Sequence, residues 1–154
     1  MSIGDIGSGL YATIGVQAAL FHRQLTGEAT KVDIGMLDCQ LALLENAVMR
    51  YQVSGTAPGP LGARHPSITP FEAYKTKDGY IIISAGNDGL FAKLAEALEN
   101  PGWAEDPDYS SNDNRNKHVE KLKIEMESVL TTHTTSHWIK VLDKFGVPSG
   151  PIND

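Results

Sequence analysis

The sequence predicts a mixed α/β and α+β chain: the C-terminal helical remnant of a larger layered α/β domain, followed by a small α+β domain with a β-hairpin and three helices. Three observations carry this. Two broad apolar helical runs precede residue 54 with only one short strand candidate between them, too little to bury their own surface. A Gly- and Pro-rich stretch then interrupts the pattern. Beyond it, aromatic and β-branched runs flank an Asp-Gly turn, and capped amphipathic segments follow.

The chain opens on Gly4-Asp5-Ile6-Gly7-Ser8-Gly9, an acidic residue among three glycines directly before an apolar run. Residues 8–25 read as a helix, with Leu10, Ile14, Ala18 and Phe21 recurring at three and four. Gly15 and the alanines around it point to close packing against another element, and Arg23 and Gly27 supply the charge and the stop. Asp5 is thereby expected at the helix N-terminus, where an aspartate is a common cap and where a carboxylate can also work chemically. The residues alone leave both roles open.

Lys31-Val32-Asp33-Ile34 is a short strand candidate. Residues 36–53 form a second helix with Leu37, Leu41, Leu44, Val48 and Tyr51 on one side, a stripe broad enough to need burial on more than one flank. Three glycines and two prolines between Ser54 and Gly62 mark the boundary, giving a first piece at 1–54, a linker at 55–69, a small domain at 70–146 and the start of a return linker at 147–154.

Within the small domain, Phe71–Lys75 and Tyr80–Ser84 flank Thr76-Lys77-Asp78-Gly79 as a hairpin. Asn87-Asp88 cap a helix through about Leu98, Trp103 anchors an irregular stretch, and a longer helix runs from about Asn112 to Leu130. Thr134-Thr135-Ser136 cap a last helix carrying Trp138, Ile139, Val141, Leu142 and Phe145. The chain then stops inside an extended Pro/Gly run, so it is expected to be a piece of something longer at both ends.

Composition narrows the function classes. Of 154 residues 41% are apolar and 21% charged, ordinary for a soluble protein, and neither a membrane-length apolar run nor a signal-peptide layout is present, so a soluble, cytoplasmic product is expected. Net charge is −6 with 13 scattered Lys and Arg, which argues against a nucleic-acid surface. No Walker loop or GxGxxG after a strand offers a phosphate cradle. Cys39 is the only cysteine, excluding an intrachain disulfide and a Cys cluster, and its apolar helical setting reads as a buried inert thiol. His22, His65, His118, His133 and His137 show no metal-ligand spacing; His133 and His137, four apart, read as a solvated pair at a helix start, and no metal is expected.

Seven pieces in order carry a resemblance: Gly4-Asp5 through the Gly9 helix, Phe21-His22-Arg23 to Thr26-Gly27, Val32 to Asp38, Gly62-Ala63-Arg64-His65-Pro66-Ser67-Ile68, Thr76 to Ile81, Ala85-Gly86-Asn87-Asp88, and Gly146-Val147-Pro148 to Ile152. The ordered set resembles the family III CoA-transferases, the group of formyl-CoA transferase and the carnitine CoA-transferases, which shares its fold with α-methylacyl-CoA racemase. The nearest branch uses dicarboxylate acyl groups such as succinate or glutarate.

That resemblance implies that residues 1–54 belong to a nucleotide-binding-like, CoA-binding large domain, and that Asp5 is the catalytic nucleophile. It implies an acyl-CoA:carboxylate CoA-transferase working through an aspartyl anhydride and an aspartyl-CoA thioester, with coenzyme A as part of the substrate and no permanently bound cofactor. Its implied partners are an acyl-CoA, a small carboxylic acid and a second copy in an interlocked homodimer. Arg64 and His65 lie where the family brings a segment near the active-site mouth, so contact with an acyl carboxylate stands beside a loop-anchoring role. Gly59-Pro60-Leu61-Gly62 does not match the dense glycine loop of the formyl-CoA member, so lid closure is not carried over. The family's CoA-holding residues lie mainly upstream of this segment. Two alternatives remain: a 2-methylacyl-CoA racemase, whose histidine partner would also lie upstream, and an inactive folding or dimerisation module that binds no CoA tightly.

Overall fold

The computed structural model describes residues 2–44 and 46–153. The chain divides into two compact units, Met1–Pro60 and Leu61–Asp154.

The first unit is helical. Helix α1 spans Ile3–Thr26, α2 Met36–Leu43 and α3 Asn46–Ser54. Helix α1 starts five residues earlier than the periodicity suggests, and it absorbs the glycine-rich opening. The reason is packing. A Cβ on Gly4 would lie 2.9 Å from Gln40 Nε2, and one on Gly7 would lie 2.6 Å from Leu43 Cδ1. The missing side chains let α2 lie close along α1, which offsets the poor helix propensity of glycine. Gly15 admits Val32 in the same way, at 2.7 Å from its would-be Cβ. At the other end Gly27 takes a left-handed φ of 77°, and its N–H donates to the Arg23 carbonyl at 2.8 Å.

Two expectations need correction here. Residues 31–34 form no strand, because among the described residues of the unit no neighbouring strand offers them a ladder; Val32 packs on α1 instead. The helix expected over 36–53 is interrupted. The Leu44 N–H reaches both Gln40 and Leu41 carbonyls, a tightened last turn, and the chain resumes as α3 at Asn46; Glu45 lies outside the described residues. Cys39 is buried, as expected for an inert thiol. The apolar stripes are largely uncovered: Leu10, Ile14, Phe21, Leu25, Leu37 and Val53 are each more than 60% exposed.

The second unit has a core of its own. Strands β1 (Phe71–Lys75), β2 (Tyr80–Ser84) and β3 (Ser149–Pro151) form an antiparallel sheet in the order β1-β2-β3. Lys75 faces Tyr80 and Phe71 faces Ser84, so the Asp-Gly connection sets the register, with the Thr76 N–H donating to the Gly79 carbonyl at 3.0 Å. Alternation then sends Tyr74, Ile81 and Ile83 inward. They meet Phe91 and Leu94 of α4 (Asp88–Ala97) with Leu98 at its C-cap, Leu122, Met126 and Leu130 of α6 (Val119–Leu130), and Trp138 and Leu142 of α7 (Thr135–Phe145).

The helix expected from Asn112 to Leu130 is two helices, α5 (Asn112–Lys117) and α6, broken at His118 with φ −111° and ψ 25°. His118 Nδ1 lies 3.2 Å from the Asp108 carbonyl oxygen and 3.1 Å from that of Asn114, a local bond that competes with the helix. The domain therefore carries four α-helices and a 3₁₀ turn at Pro101–Ala104, where Trp103 packs half-buried on the core. Within the stretch read as a return linker, Ser149–Pro151 add β3 against Ile81–Ile83, because a turn at Gly146 sends the chain back past α7 with Val147 buried.

Caps fix the helix starts. Asn87 Oδ1 accepts the Leu90 N–H at 2.8 Å, and Thr134 Oγ1 accepts that of His137 at 3.3 Å. Asp78, in the hairpin turn, reaches the start of α7: Oδ1 accepts the Thr135 N–H at 2.7 Å and its hydroxyl at 3.0 Å. The backbone N–H bond, more than the hydroxyls of Thr135 and Thr76, holds the Asp78 carboxyl below the usual carboxylate range.

A carboxyl whose folded-state pKa is depressed contributes stability above its unfolded value, about 3.9, and loses it as pH falls through the folded one. Asp78→Ala is therefore expected to lower the thermal midpoint at neutral pH, and the gap from the parent chain should close on acidification below about pH 4. Gly146 holds φ 68° at the α7 C-cap. Gly146→Ala should cost about 1 kcal/mol in a urea titration followed by tryptophan fluorescence, which reports this unit alone because both tryptophans lie in it.

Candidate active site

Asp5 lies three residues past the N-cap Ser2, in the first turn of α1, and is exposed. This corrects the expectation of a cap: the carboxylate hangs from the helix itself. The first intrahelical bond is from the Ile6 N–H to the Ser2 carbonyl at 3.1 Å, so the N–H groups of Ile3, Gly4 and Asp5 precede the ladder. Among the described residues no side chain caps this end and no cation pairs with Asp5. A charge at this position meets the positive end of the helix dipole and a cluster of donors.

Gln40 is a neighbour that sequence reasoning missed. It projects from α2 against Gly4, placing a side-chain amide beside the residue that precedes Asp5. Its only sequence signal is the spacing Gln40-Leu43, one helical turn, matched to Gly4-Gly7. A groove of about 260 Å³ in the same unit is lined by Tyr11, Asp33, Ile34, Gly35, Asp38, Cys39 and Ala42, and Asp5 is not among them.

Arg64 and His65 belong to the second unit and are half-buried. The Arg64 Nε donates to the His65 carbonyl at 3.4 Å. His65 is more firmly held. Its N–H donates to the Phe71 carbonyl at 2.8 Å, its ring stacks on Phe71 with centroids 5.3 Å apart, and its Nδ1 accepts the N–H groups of Ser67 and Ile68 at 3.2 and 3.1 Å. Two donors on Nδ1 require a lone pair there, so the hydrogen-bond network assigns the ring proton to Nε2.

Helix α5 contributes a group of residues that the sequence reading did not single out. Arg115 is fully buried: Nε donates to the Thr69 carbonyl, Nη1 to that of Tyr109 and Nη2 to Asp88 Oδ1, each at 2.8 Å, with Phe91 beneath the guanidinium. Asn112 and Asn116, one turn apart, both donate to the Ser67 carbonyl, at 2.9 and 2.8 Å. Their spacing, with Arg115 between, was the available signal.

His133 and His137 stack at 4.2 Å and are exposed, with His133 Nδ1 2.8 Å from Thr132 Oγ1. Among the described residues no three His, Cys, Asp or Glu are placed to hold a metal ion, and no helix is long and apolar enough to cross a membrane.

Comparison with known proteins covers the whole chain. The model of CoA-transferase family III matches residues 1–154. The chain is 35% identical over 153 residues to acetyl-CoA:oxalate CoA-transferase of Acetobacter aceti, covering 99% of this chain and 39% of that one. It is 37% identical to succinate–glutarate CoA-transferase of Agrobacterium fabrum, covering 99% and 38%. Among solved structures, a CAIB/BAIF family protein from Brucella suis superposes with a TM-score of 0.83 at 36% identity, covering all of this chain and 41% of the other. The chain thus spans about two-fifths of the length of the relatives it matches. With a family model matched from first residue to last and the fold shared with solved relatives, the chain belongs to CoA-transferase family III.

Proposed function

We propose that this chain forms part of an acyl-CoA:carboxylate CoA-transferase in which Asp5 is the nucleophile. The observation that carries the reading is an exposed carboxylate in the first, uncapped turn of α1, within a chain matched throughout by the family. Residues 1–54 would then be the C-terminal part of the CoA-binding large domain and 70–146 the small domain. The relatives' names, which pair acetyl-CoA with oxalate and succinate with glutarate, support a small di-acid as acyl group or acceptor.

The chemistry follows from the residue. A carboxylate oxygen of Asp5 attacks the thioester carbonyl, and collapse of the tetrahedral adduct expels CoA thiolate and leaves a mixed anhydride. The thiolate attacks the Asp5 acyl carbon, releasing the donor carboxylate and forming an aspartyl-CoA thioester. The acceptor carboxylate attacks that thioester, expelling CoA thiolate and leaving a second mixed anhydride; the thiolate then attacks the acceptor's acyl carbon, forming the new thioester and freeing the Asp5 carboxylate. One thioester replaces another, so no external energy source is needed. N–H groups at the helix start supply donors to the oxyanion formed on the aspartyl carbonyl. Arg64 is suited to hold a second carboxylate by paired N–H bonds. The uncovered apolar faces of α1 support association with a second copy, as in an interlocked homodimer.

Asp5→Ala and Asp5→Asn, made in the longer protein, are expected to abolish transfer, and hydroxylamine with acyl-CoA should trap a modified Asp5. Retained transfer in Asp5→Ala would refute the assignment, and α-proton exchange without transfer to an acid would move the reading to a racemase. Arg64→Ala should raise KM for the acceptor acid about tenfold with kcat little changed, the signature of a lost uniform binding contact; an unchanged KM leaves Arg64 only its loop bond.

A further inference from the structure

Every polar group but one on the backbone of Ser67–Thr69 is claimed, and from two sides. Towards His65, the N–H groups of Ser67 and Ile68 donate to Nδ1. Towards α5, the Ser67 carbonyl accepts from Asn112 and Asn116, the Thr69 N–H donates to Asn112 Oδ1 at 3.1 Å, and the Thr69 carbonyl accepts from Arg115. The Thr69 hydroxyl adds a bond to Asn116 Oδ1 at 2.7 Å. Gly86 leaves room for Ile68 on the remaining side, its would-be Cβ falling 2.9 Å from Ile68 Cγ2. Each asparagine uses both ends of its amide, so neither can flip without losing a bond. Three residues of chain are thus read by α5 much as a strand is read by its neighbour.

We propose that Asn112, Arg115 and Asn116 are positioning residues that fix the Ser67–Thr69 backbone and, through it, the tautomer and orientation of His65, so that His65 offers Nε2–H as a pre-set donor to a carboxylate. The inference deepens the reading of Arg64 and His65 as carboxylate contacts and rests on it. The physical reason for such a device is that a donor held in one tautomer before binding avoids an ordering cost on binding. Arg115 is the anchor and the asparagines are the adjustable part: the guanidinium is fully buried, whereas both asparagines are half-exposed and carry no core packing.

The test uses the 154-residue chain labelled with ¹⁵N, without substrate, at about pH 8. Long-range ¹H–¹⁵N correlation of the imidazoles should show His65 in the single Nε2–H tautomer. In the double variant Asn112→Ala with Asn116→Ala, His65 should lose that pattern for an averaged one and the Ser67 and Ile68 amide signals should move, with His133 and His137 unchanged. Tryptophan fluorescence in urea confirms that the unit is folded; if the double variant is not, each single variant is read in the same way. A parent chain with averaged or Nδ1–H His65, or folded variants that keep the fixed tautomer and the amide positions, overturns the proposal. Because no substrate is present, a failure here is read separately from a failure of the Arg64 KM test, so the two can be told apart.

Discussion

A guanidinium with no access to water must find its partners inside the protein, and that demand organises the second unit. Leaving Arg115 unpaired would cost several kcal/mol. It instead joins the Thr69 carbonyl, the Tyr109 carbonyl and Asp88, and so ties the segment before β1, the loop before α5 and the first turn of α4 to one point. Phe91 closes the apolar side. The hairpin enters the sheet from a fixed position because its leading residues are held there, and the core of Tyr74, Ile81, Ile83, Leu94, Leu122 and Met126 closes over them.

The first unit shows the opposite balance. Its helices bury Gly7 and Cys39 and leave most of their leucines, isoleucines and valines open. Helical hydrogen bonds satisfy the backbone, but side-chain burial supplies most helix stability in folded proteins, and here that burial is unfinished. The unit nevertheless has specific internal contacts, since Gly4 and Gly7 let α2 approach closely and Gly15 does the same for Val32. The apolar surface left open is correspondingly large, in a chain that spans about two-fifths of the length of the relatives it matches.

Much of this was legible in the residues. The Asp-Gly hairpin, the caps at Asn87 and Thr134 and the stop at Gly27 each depend on local chemistry within four residues, and each stands where the pattern puts it. Family membership was legible too, because seven short pieces kept their order. What failed did so for identifiable reasons. The pattern starts the helix at residue 8, after the glycines around Asp5, because glycine is poor in isolated helices, yet a packing partner offsets that preference. The strand at 31–34 had the composition but no ladder, and the helix over 112–130 had the periodicity but a His118 side chain bonded to the backbone at its middle.

By itself the sequence determined part of the local grammar: the hairpin at the Asp-Gly turn, the caps at Asn87 and Thr134, and that an aspartate stands at the head of a long apolar helix. The tertiary structure decided that Asp5 sits inside the first turn, that Gln40 abuts Gly4, and that Asn112, Arg115 and Asn116 grip a segment more than 40 residues before them. The division has a simple cause. Propensity and capping act within a turn of chain, whereas closeness of approach and the matching of buried donors depend on what lies opposite, which no local pattern encodes.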